Sequence, residues 1–524
     1  MSSYDYIVVG AGSAGAVVAA RLSEDPSTRV LLVEAGGSHK HLNVQVPAAF
    51  SKQFKTALDW EYYTEPEPEL GGRRIYHPRA KMLGGCSSMN AMIYIRGNRH
   101  DYDSWAKGGA TGWSYDEVLP LFRRSEANSR GESVYHGGDG PLHIEDPRSP
   151  NAVSQKIVDA MVATGFDQND DFNGADQVGA GFYQVTQKRG RRWTTADGYL
   201  TPARHRKNLT VLTGAQVMRV RVADGRATGI EVQREGRREF YGADREVVLS
   251  AGALNTPQLL MLSGIGPADH LAEHAIPTLV DNANVGAHLM DHPLVLMNWE
   301  TSAKGTLHGA ESPVQLANFL ARRRGLLTSN VGETGGFFHT RTGLEAPDMQ
   351  VIAAPGYFFD HGFSTYASPA LAMGLSLVGS QSRGAVRLLS ADPMDKPSIS
   401  FNYLSDPADL DAFVVGVDRL REIAASGPLR GIVRKEIHPG GQAQTRAEVE
   451  QSIRREMEHT YHPSCTARIG DESDGVVDPE LRVHGVSGLR VADASVFPTI
   501  PHGNTHAPTV LVGEKAADLI RATS

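Results

Sequence analysis

The chain is short of cysteine. Cys86 and Cys465 are the only two in 524 residues. That excludes a disulfide framework and a cysteine-built zinc module, and it suits the reducing cytoplasm. Uninterrupted apolar sequence is scarce as well. The stretch Tyr6 to Ala20 is cut by Gly10, Gly12 and Gly15 and preceded by Asp5, so neither a signal peptide nor a membrane span is expected. Positive charge is not in excess. Lys and Arg number 52 against 60 Asp and Glu, a net charge of −8, which disfavours nucleic acid as a partner, because that binding rests on neutralised phosphates. There is no internal repeat and no low-complexity tract. Glycine is what abounds, 55 residues, which points to tight turns and to backbone approaching a ligand closely. The remaining composition is that of a globular protein long enough for two or three domains around a sizeable core. Oligomeric state is not legible.

Tyr6-Ile7-Val8-Val9 reads as a buried strand, Ala14 to Leu22 as a helix and Arg29 to Val33 as a second strand. Strand, helix, strand over some thirty residues is a βαβ unit and implies a parallel sheet. Further on, Leu209 to Val222 and Gly229 to Val232 read as antiparallel strands about an Asp224-Gly225 turn. Val247-Val248-Leu249 reads as another buried strand. Short strands such as Met349 to Ala353 and Ala385 to Leu389 then alternate with helices such as Leu410 to Ala425, and Glu514 to Ile520 closes the chain as a helix.

The turn between the first strand and the first helix is Gly10-Ala11-Gly12-Ser13-Ala14-Gly15, and Glu34 ends the next strand, 24 residues after Gly10. Gly10 permits the turn, Gly12 lets backbone approach a pyrophosphate, and Gly15 lets helix and strand pack closely. The helix N-terminus offers N–H groups and a positive dipole end to phosphates. Glu34 can accept from ribose hydroxyls. This fingerprint predicts dinucleotide binding without separating FAD from NAD.

Three further stretches carry a resemblance. They are Leu83-Gly84-Gly85-Cys86-Ser87-Ser88-Met89-Asn90 with Tyr94-Ile95-Arg96-Gly97; Ser250-Ala251-Gly252-Ala253-Leu254-Asn255-Thr256-Pro257 through Gly266; and His462-Pro463-Ser464 with Val491 to Pro498 and Gly503-Asn504-Thr505-His506-Ala507-Pro508-Thr509. Smaller echoes lie at Val285-Gly286, Asp291-His292-Pro293 and Ser382-Arg383-Gly384. Together they resemble the signatures of the glucose-methanol-choline (GMC) oxidoreductases, from residue 4 to residue 520. The resemblance implies a mixed α/β plus α+β chain. A discontinuous Rossmann-like FAD-binding domain would be built from 1–155, 206–295 and 456–524, and an interleaved substrate domain on an antiparallel sheet from 156–205 and 296–455. It implies cofactor contacts at Gly10, Gly12, Ser13, Ala14, Gly15, Glu34, Ala35, Gly84, Gly85, Ser88, Asn90, Ala91, Val217, Asp493, Ala494 and Asn504. In some choline-oxidising relatives the position of Met89 is a histidine joined covalently to the flavin. Methionine there implies FAD held non-covalently.

Oxidising an alcohol removes a hydride from carbon and a proton from oxygen. An alcohol is about as weak an acid as water, pKa ~15.7. Passing its proton to an unperturbed histidine, pKa ~6.5, costs about 12 kcal/mol. The two transfers are therefore expected to be coupled, or the alkoxide to be stabilised by donors. By resemblance His462 is the base, His506 assists at the same oxygen, and the hydride goes to flavin N5. The expected partners are a primary alcohol and O2 or another acceptor, with no metal. A flavin-containing lyase without net redox chemistry, of the hydroxynitrile lyase type, is the alternative, and an NAD-dependent enzyme or non-catalytic nucleotide-binding module is a third.

Other groups carry bland and sharp readings side by side. Glu456, Glu458, His459 and His462 have helical spacing for a metal but no second pair to complete it. Lys188-Arg189-Gly190-Arg191-Arg192 is an anion site or, on the plainer reading, a solvated basic turn. Cys465 lies three residues from His462, which is not by itself a catalytic geometry. Tyr357-Phe358-Phe359 with Phe363 and Tyr366 lines a substrate entrance for an aromatic alcohol or fills a core. Tyr461 is a second candidate for the pocket wall.

Overall fold

A computed structural model describes residues 3–523. Its first sheet runs in the order Leu209–Leu212, Val30–Val33, Ser3–Val9, Arg237–Leu249, Arg226–Arg234, Ala215–Ala223, and Leu489–Val491 also pairs with Arg237–Leu249. The first four are parallel neighbours, and the chain then doubles back as an antiparallel meander. Ile7, Val8, Leu31, Leu32, Val247 and Val248 are fully buried, as continuous apolar strands must be when both faces of a parallel sheet are covered. The helix Gly15–Leu22 lies between this sheet and the C-terminal helix His506–Ala522. Gly513 makes that approach possible, since a Cβ there would lie 2.8 Å from the Ala14 carbonyl oxygen.

One expected strand is two. Residues 209 to 222 break at Gly214, whose φ is +63°. Leu209–Leu212 joins the parallel layer beside Val30–Val33, while Ala215–Ala223 turns into the meander. Asp224 and Gly225 both have positive φ, 48° and 71°, the two-residue hairpin turn that an Asp-Gly pair favours.

The second sheet is antiparallel throughout, in the order Val433–His438, Pro293–Thr301, Ala370–Leu377, Met349–Ala354, Thr334–Phe338, Gly179–Phe182. Side chains alternate between its faces. Val295, Met297, Val351, Ala353, Leu371 and Met373 pack into a core shared with the helices Ala152–Ala163 and Pro407–Ala425. Leu294, Leu296, Ile352, Ala354 and Ala372 face the opposite way and line a cavity against the first body.

The expected domain borders fall within or beside elements. Ala152–Ala163 crosses 155, Pro293–Thr301 crosses 295, and Arg446–Glu456 crosses 455. Glu458–His459 pairs into the second sheet. Ala196, Tyr199 and Leu200, placed by sequence in the substrate domain, pack into the core of the first.

Candidate active site

The cavity begins at the glycine fingerprint. Gly10, at φ +97°, ends the first strand, and a Cβ on Gly15 would sit 1.9 Å from the Gly10 carbonyl oxygen, so neither accepts a side chain. Gly12 differs. A Cβ there would meet only the Gly85 Cα, at 4.0 Å, so bare backbone faces open space where a phosphate can approach. Gly12, Ser13, Ala14, Glu34, Ala35, Gly85, Asn90, Ala91, Val217, Asp493, Ala494 and Asn504 all line this one cavity, as does Gly10. Gly15, Gly84 and Ser88 stand behind the wall. Gly84 donates its N–H to the Ala11 carbonyl at 2.8 Å, and the Ser88 hydroxyl donates to the Leu83 carbonyl at 2.8 Å.

Glu34 is buried and braces the fingerprint. One carboxylate oxygen accepts the Ala11 N–H at 3.0 Å and the other the Gly36 N–H at 2.8 Å. Burial pushes its pKa up, and these N–H groups oppose that. Asp493 accepts the Gly252 N–H at 2.8 Å, the Thr256 hydroxyl at 2.6 Å and the Ser495 N–H at 2.8 Å. It thereby ties the second signature to the closing block.

At the far end stands His462, while His506 lies back beside Ser13 of the fingerprint. The His462 N–H donates to Asp291 at 2.7 Å, and Asp291 accepts the His292 N–H through the same oxygen at 2.8 Å. His462 Nδ1 lies 2.9 Å from His292 Nδ1 and 3.0 Å from the Thr460 hydroxyl. His462 Nε2 lies 3.3 Å from the Asn504 side-chain nitrogen. Asn504 in turn accepts from Gln350 at 3.2 Å through its oxygen. With that oxygen taken, the Asn504 NH2 donates to His462 Nε2, which carries the lone pair, and the proton sits on Nδ1 between His292 and Thr460. Asn504 thus touches His462 itself.

His506 opens the C-terminal helix. Its Nδ1 lies 3.0 Å from the Ser13 hydroxyl, and its Nε2 is buried without a protein partner. Burial, then the Arg79 charge, lowers the His462 pKa to about 3; burial, then Arg192, lowers that of His506 to about 4. Both are neutral at pH 7. An orphaned ring nitrogen, bare glycine backbone and a buried carboxylate in one cavity fit a dinucleotide cofactor.

Glu456, Glu458, His459 and His462 do not converge. Glu456 lies 3.6 Å from His438, Glu458 lies 3.7 Å from His361, and His459 stacks on His77 at 3.7 Å. Burial raises the Cys465 thiol to about 12, which removes it as a nucleophile. The aromatic stretch divides. Phe358 lines the cavity and stacks on Phe50 at 5.8 Å, while Phe359 stacks on His438 at 3.8 Å and Tyr366 on Tyr357 at 5.5 Å. Tyr461 does line the wall, 5.7 Å from Phe54. Sequence reasoning had passed over Phe50, Phe54, Thr460, Gln350 and Arg79, and it assigned no role to the Asp291-His292 pair it noted.

The sequence matches the family description GMC oxidoreductase twice, its N-terminal part over residues 4–294 and its C-terminal part over 380–513. The chain is similar to an uncharacterized GMC-type oxidoreductase of Mycobacterium tuberculosis, 48% identical over 99% of each chain. It is also similar to mitochondrial choline dehydrogenase of Mus musculus, 40% identical over 99% of this chain and 89% of the other. Among solved structures it resembles pyridoxine 4-oxidase from Mesorbium loti, with TM-score 0.91 and 31% identity over 99% of each chain. No helix among the described residues is long and apolar enough to cross a membrane.

Proposed function

The chain belongs to the GMC oxidoreductase family and is an FAD-dependent alcohol oxidoreductase, and we propose that it oxidises an uncharged, apolar or aromatic primary alcohol to the aldehyde, with His462 as base and His506 assisting. The observation that carries this is the hydrogen-bond chain Gln350, Asn504, His462, His292, which holds His462 with its proton on Nδ1 and its Nε2 lone pair at the cavity on a long 3.3 Å bond from Asn504 that a substrate hydroxyl can replace. FAD, when bound, would supply the two-electron acceptor for the hydride, with O2 or another acceptor as the final oxidant. Gly12 and Gly85 would hold the phosphates, Glu34 the ribose and Val217 the adenine side, all four lining the one cavity.

A histidine held at about 3 is a weak base. Full transfer of a proton from an alcohol of pKa ~15.7 would cost about 17 kcal/mol at ~1.36 per unit. Proton and hydride therefore leave together. As the hydride leaves, the substrate oxygen loses electron density and its O–H becomes a stronger acid, so the proton passes to His462 without a free alkoxide forming. His292 and Thr460 accept the Nδ1 proton throughout and keep the ring aimed. If Ser13 donates to His506 Nδ1, His506 Nε2–H is the donor for the same oxygen.

The substrate end is walled by Phe50, Phe54, Met89, Leu294, Leu296, Phe358 and Tyr461. Among the described residues the only carboxylates lining the cavity are Glu34, at the fingerprint, and Asp493, whose oxygens are already taken. A quaternary ammonium alcohol, the substrate in the mouse relative's name, finds aromatic faces there but no carboxylate, so cation–π contact alone has to offset the cost of desolvating its charge. Under anaerobic conditions benzyl alcohol should bleach the yellow protein, and choline should do so with kcat/KM lower by about tenfold or more, equivalent to ~1.4 kcal/mol. A preference for choline overturns the substrate class. A flavin that no alcohol bleaches overturns the oxidation itself in favour of the lyase reading.

The cofactor is expected to be free of a covalent link, because Met89 at the cavity wall offers a thioether and no ionisable nucleophile. Acid precipitation should release all the yellow colour into the supernatant. Colour retained in the pellet would refute this.

A further inference from the structure

The basic stretch divides in the structure. Lys188 and Arg189 are exposed, whereas Arg192, at the end of the hairpin formed by Gln187–Lys188 and Arg191–Arg192, is 2% exposed. Its guanidinium meets neutral acceptors only. Nε donates to the Val44 carbonyl at 2.9 Å, one terminal nitrogen donates to the Ser87 carbonyl at 3.2 Å and the Asn90 side-chain oxygen at 2.8 Å, and the other has no partner. The one carboxylate that acts on it, Asp197, is spent on His39 and on Thr194. Burial lowers Arg192 to about 9, so it stays charged at neutral pH. A cation removed from water without a counter-ion is destabilising unless another negative group completes the site.

Its position says what that group is. Ser87 follows the Gly85 loop, Asn90 lines the cavity, and Arg192 is the charge that most depresses His506. Asn90 receives both Arg192 and the Met92 N–H on its oxygen, the latter at 3.1 Å. No protein acceptor takes its NH2 among the described residues, and Asn90 stands beside Met89 in the cavity wall. The wall at the reacting end is therefore a donor surface backed by a full positive charge.

We propose that Arg192 is a positioning residue for the cofactor, whose buried charge and orientation of Asn90 favour the reduced form of FAD over the oxidised one. Accepting a hydride adds two electrons and one proton, a net negative charge, and a fixed cation behind the wall is more favourable to that state. The inference rests on the FAD dependence of the family and not on which histidine takes the proton.

The test is the two-electron midpoint potential of the FAD-loaded protein, equilibrated with reference dyes. Arg192→Gln and Arg192→Met should shift the balance at least tenfold toward the oxidised form, a potential lower by about 30 mV or more. Arg192→Lys, which keeps the charge, should recover most of the shift. A merely structural role would lower thermal stability and leave the potential in place. A Gln or Met variant that retains FAD at the wild-type potential overturns the proposal. Should neither retain FAD, sulfite added to the unaltered protein decides. It forms an anionic adduct with oxidised flavin, and binding no tighter than to free FAD overturns the proposal as well.

Discussion

Replacing His462 by alanine should leave a folded, yellow protein whose flavin is reduced by alcohol roughly 10²–10⁴-fold more slowly, the usual contribution of a positioned general base. The fold should survive because the contact that anchors this segment is the His462 N–H on Asp291, which alanine keeps. His506→Ala should cost less, since His506 is hydrogen-bonded to Ser13 and Asn504 is the group beside His462 Nε2. His506→Asn should recover part of that loss, because the amide still offers a donor. The comparison belongs on anaerobic flavin reduction in a stopped-flow instrument, as steady-state turnover can be masked by product release or reoxidation. Near-normal reduction in His462→Ala would sink the mechanism and leave the family untouched. A larger loss in His506→Ala would exchange the two roles.

Sequence made the cofactor end legible and the reacting end only in outline, for a physical reason. The fingerprint is local. Gly10, Gly12, Gly15 and Glu34 act through a turn, a helix end and one crossover, so their spacing carries their geometry. The environment of His462 is assembled across the chain. His292 is 170 residues away, Asn504 is 42 residues away, and Gln350 acts through Asn504 from 154 residues away. No spacing rule relates them, and Asp291-His292 can be noticed as a motif without revealing that it holds His462. The basic stretch misled because charge runs are usually solvated, and period-2 alternation in so short a hairpin does not say that Arg192 points inward. The aromatic stretch 357–366 marked the pocket through Phe358 alone. It follows no period, so only the fold could select Phe358 from its neighbours.

Acid should destabilise this protein more steeply than its composition suggests. Six histidines are buried and held below the ordinary range, chiefly by desolvation: His77, His292 and His459 well below, His361 and His462 at about 3, and His506 at about 4. Each binds a proton in the unfolded chain below pH ~6.5 and none in the folded one, so stability is complete above ~6.5 and is lost as pH falls toward the folded values. At pH ~5.5 each contributes about 1.4 kcal/mol of loss, roughly 8 kcal/mol for six. His77 and His459 are stacked, so their titrations belong to the pair, but the total proton uptake is unaffected. Glu458 opposes the trend. Burial raises it to about 7, so it gains stability as pH falls through that value, and Glu34, Glu67, Glu333 and Asp493, also raised by burial, add to the offset. His136, raised to about 9 beside Asp171 and Glu126, is protonated in both states below pH ~6.5 and adds nothing to the slope there; its contribution is lost only as pH climbs through about 9. Against an unfolding entropy of ~2.1 cal/mol/K per residue, the histidine loss less the carboxylate offset corresponds to a thermal midpoint lower by about 2–5 °C at pH ~5.5 than at pH ~7. Scanning the FAD-loaded protein across that range, with His361→Phe beside it, checks the origin. His361 hydrogen-bonds Tyr461 and lies against Glu458, so the readout is the variant's slope with pH and not its absolute midpoint, and that slope should be shallower by about one histidine's share. A flat midpoint from pH ~7 to ~5.5 would mean that these histidines are hydrated and titrate as they do in the unfolded chain.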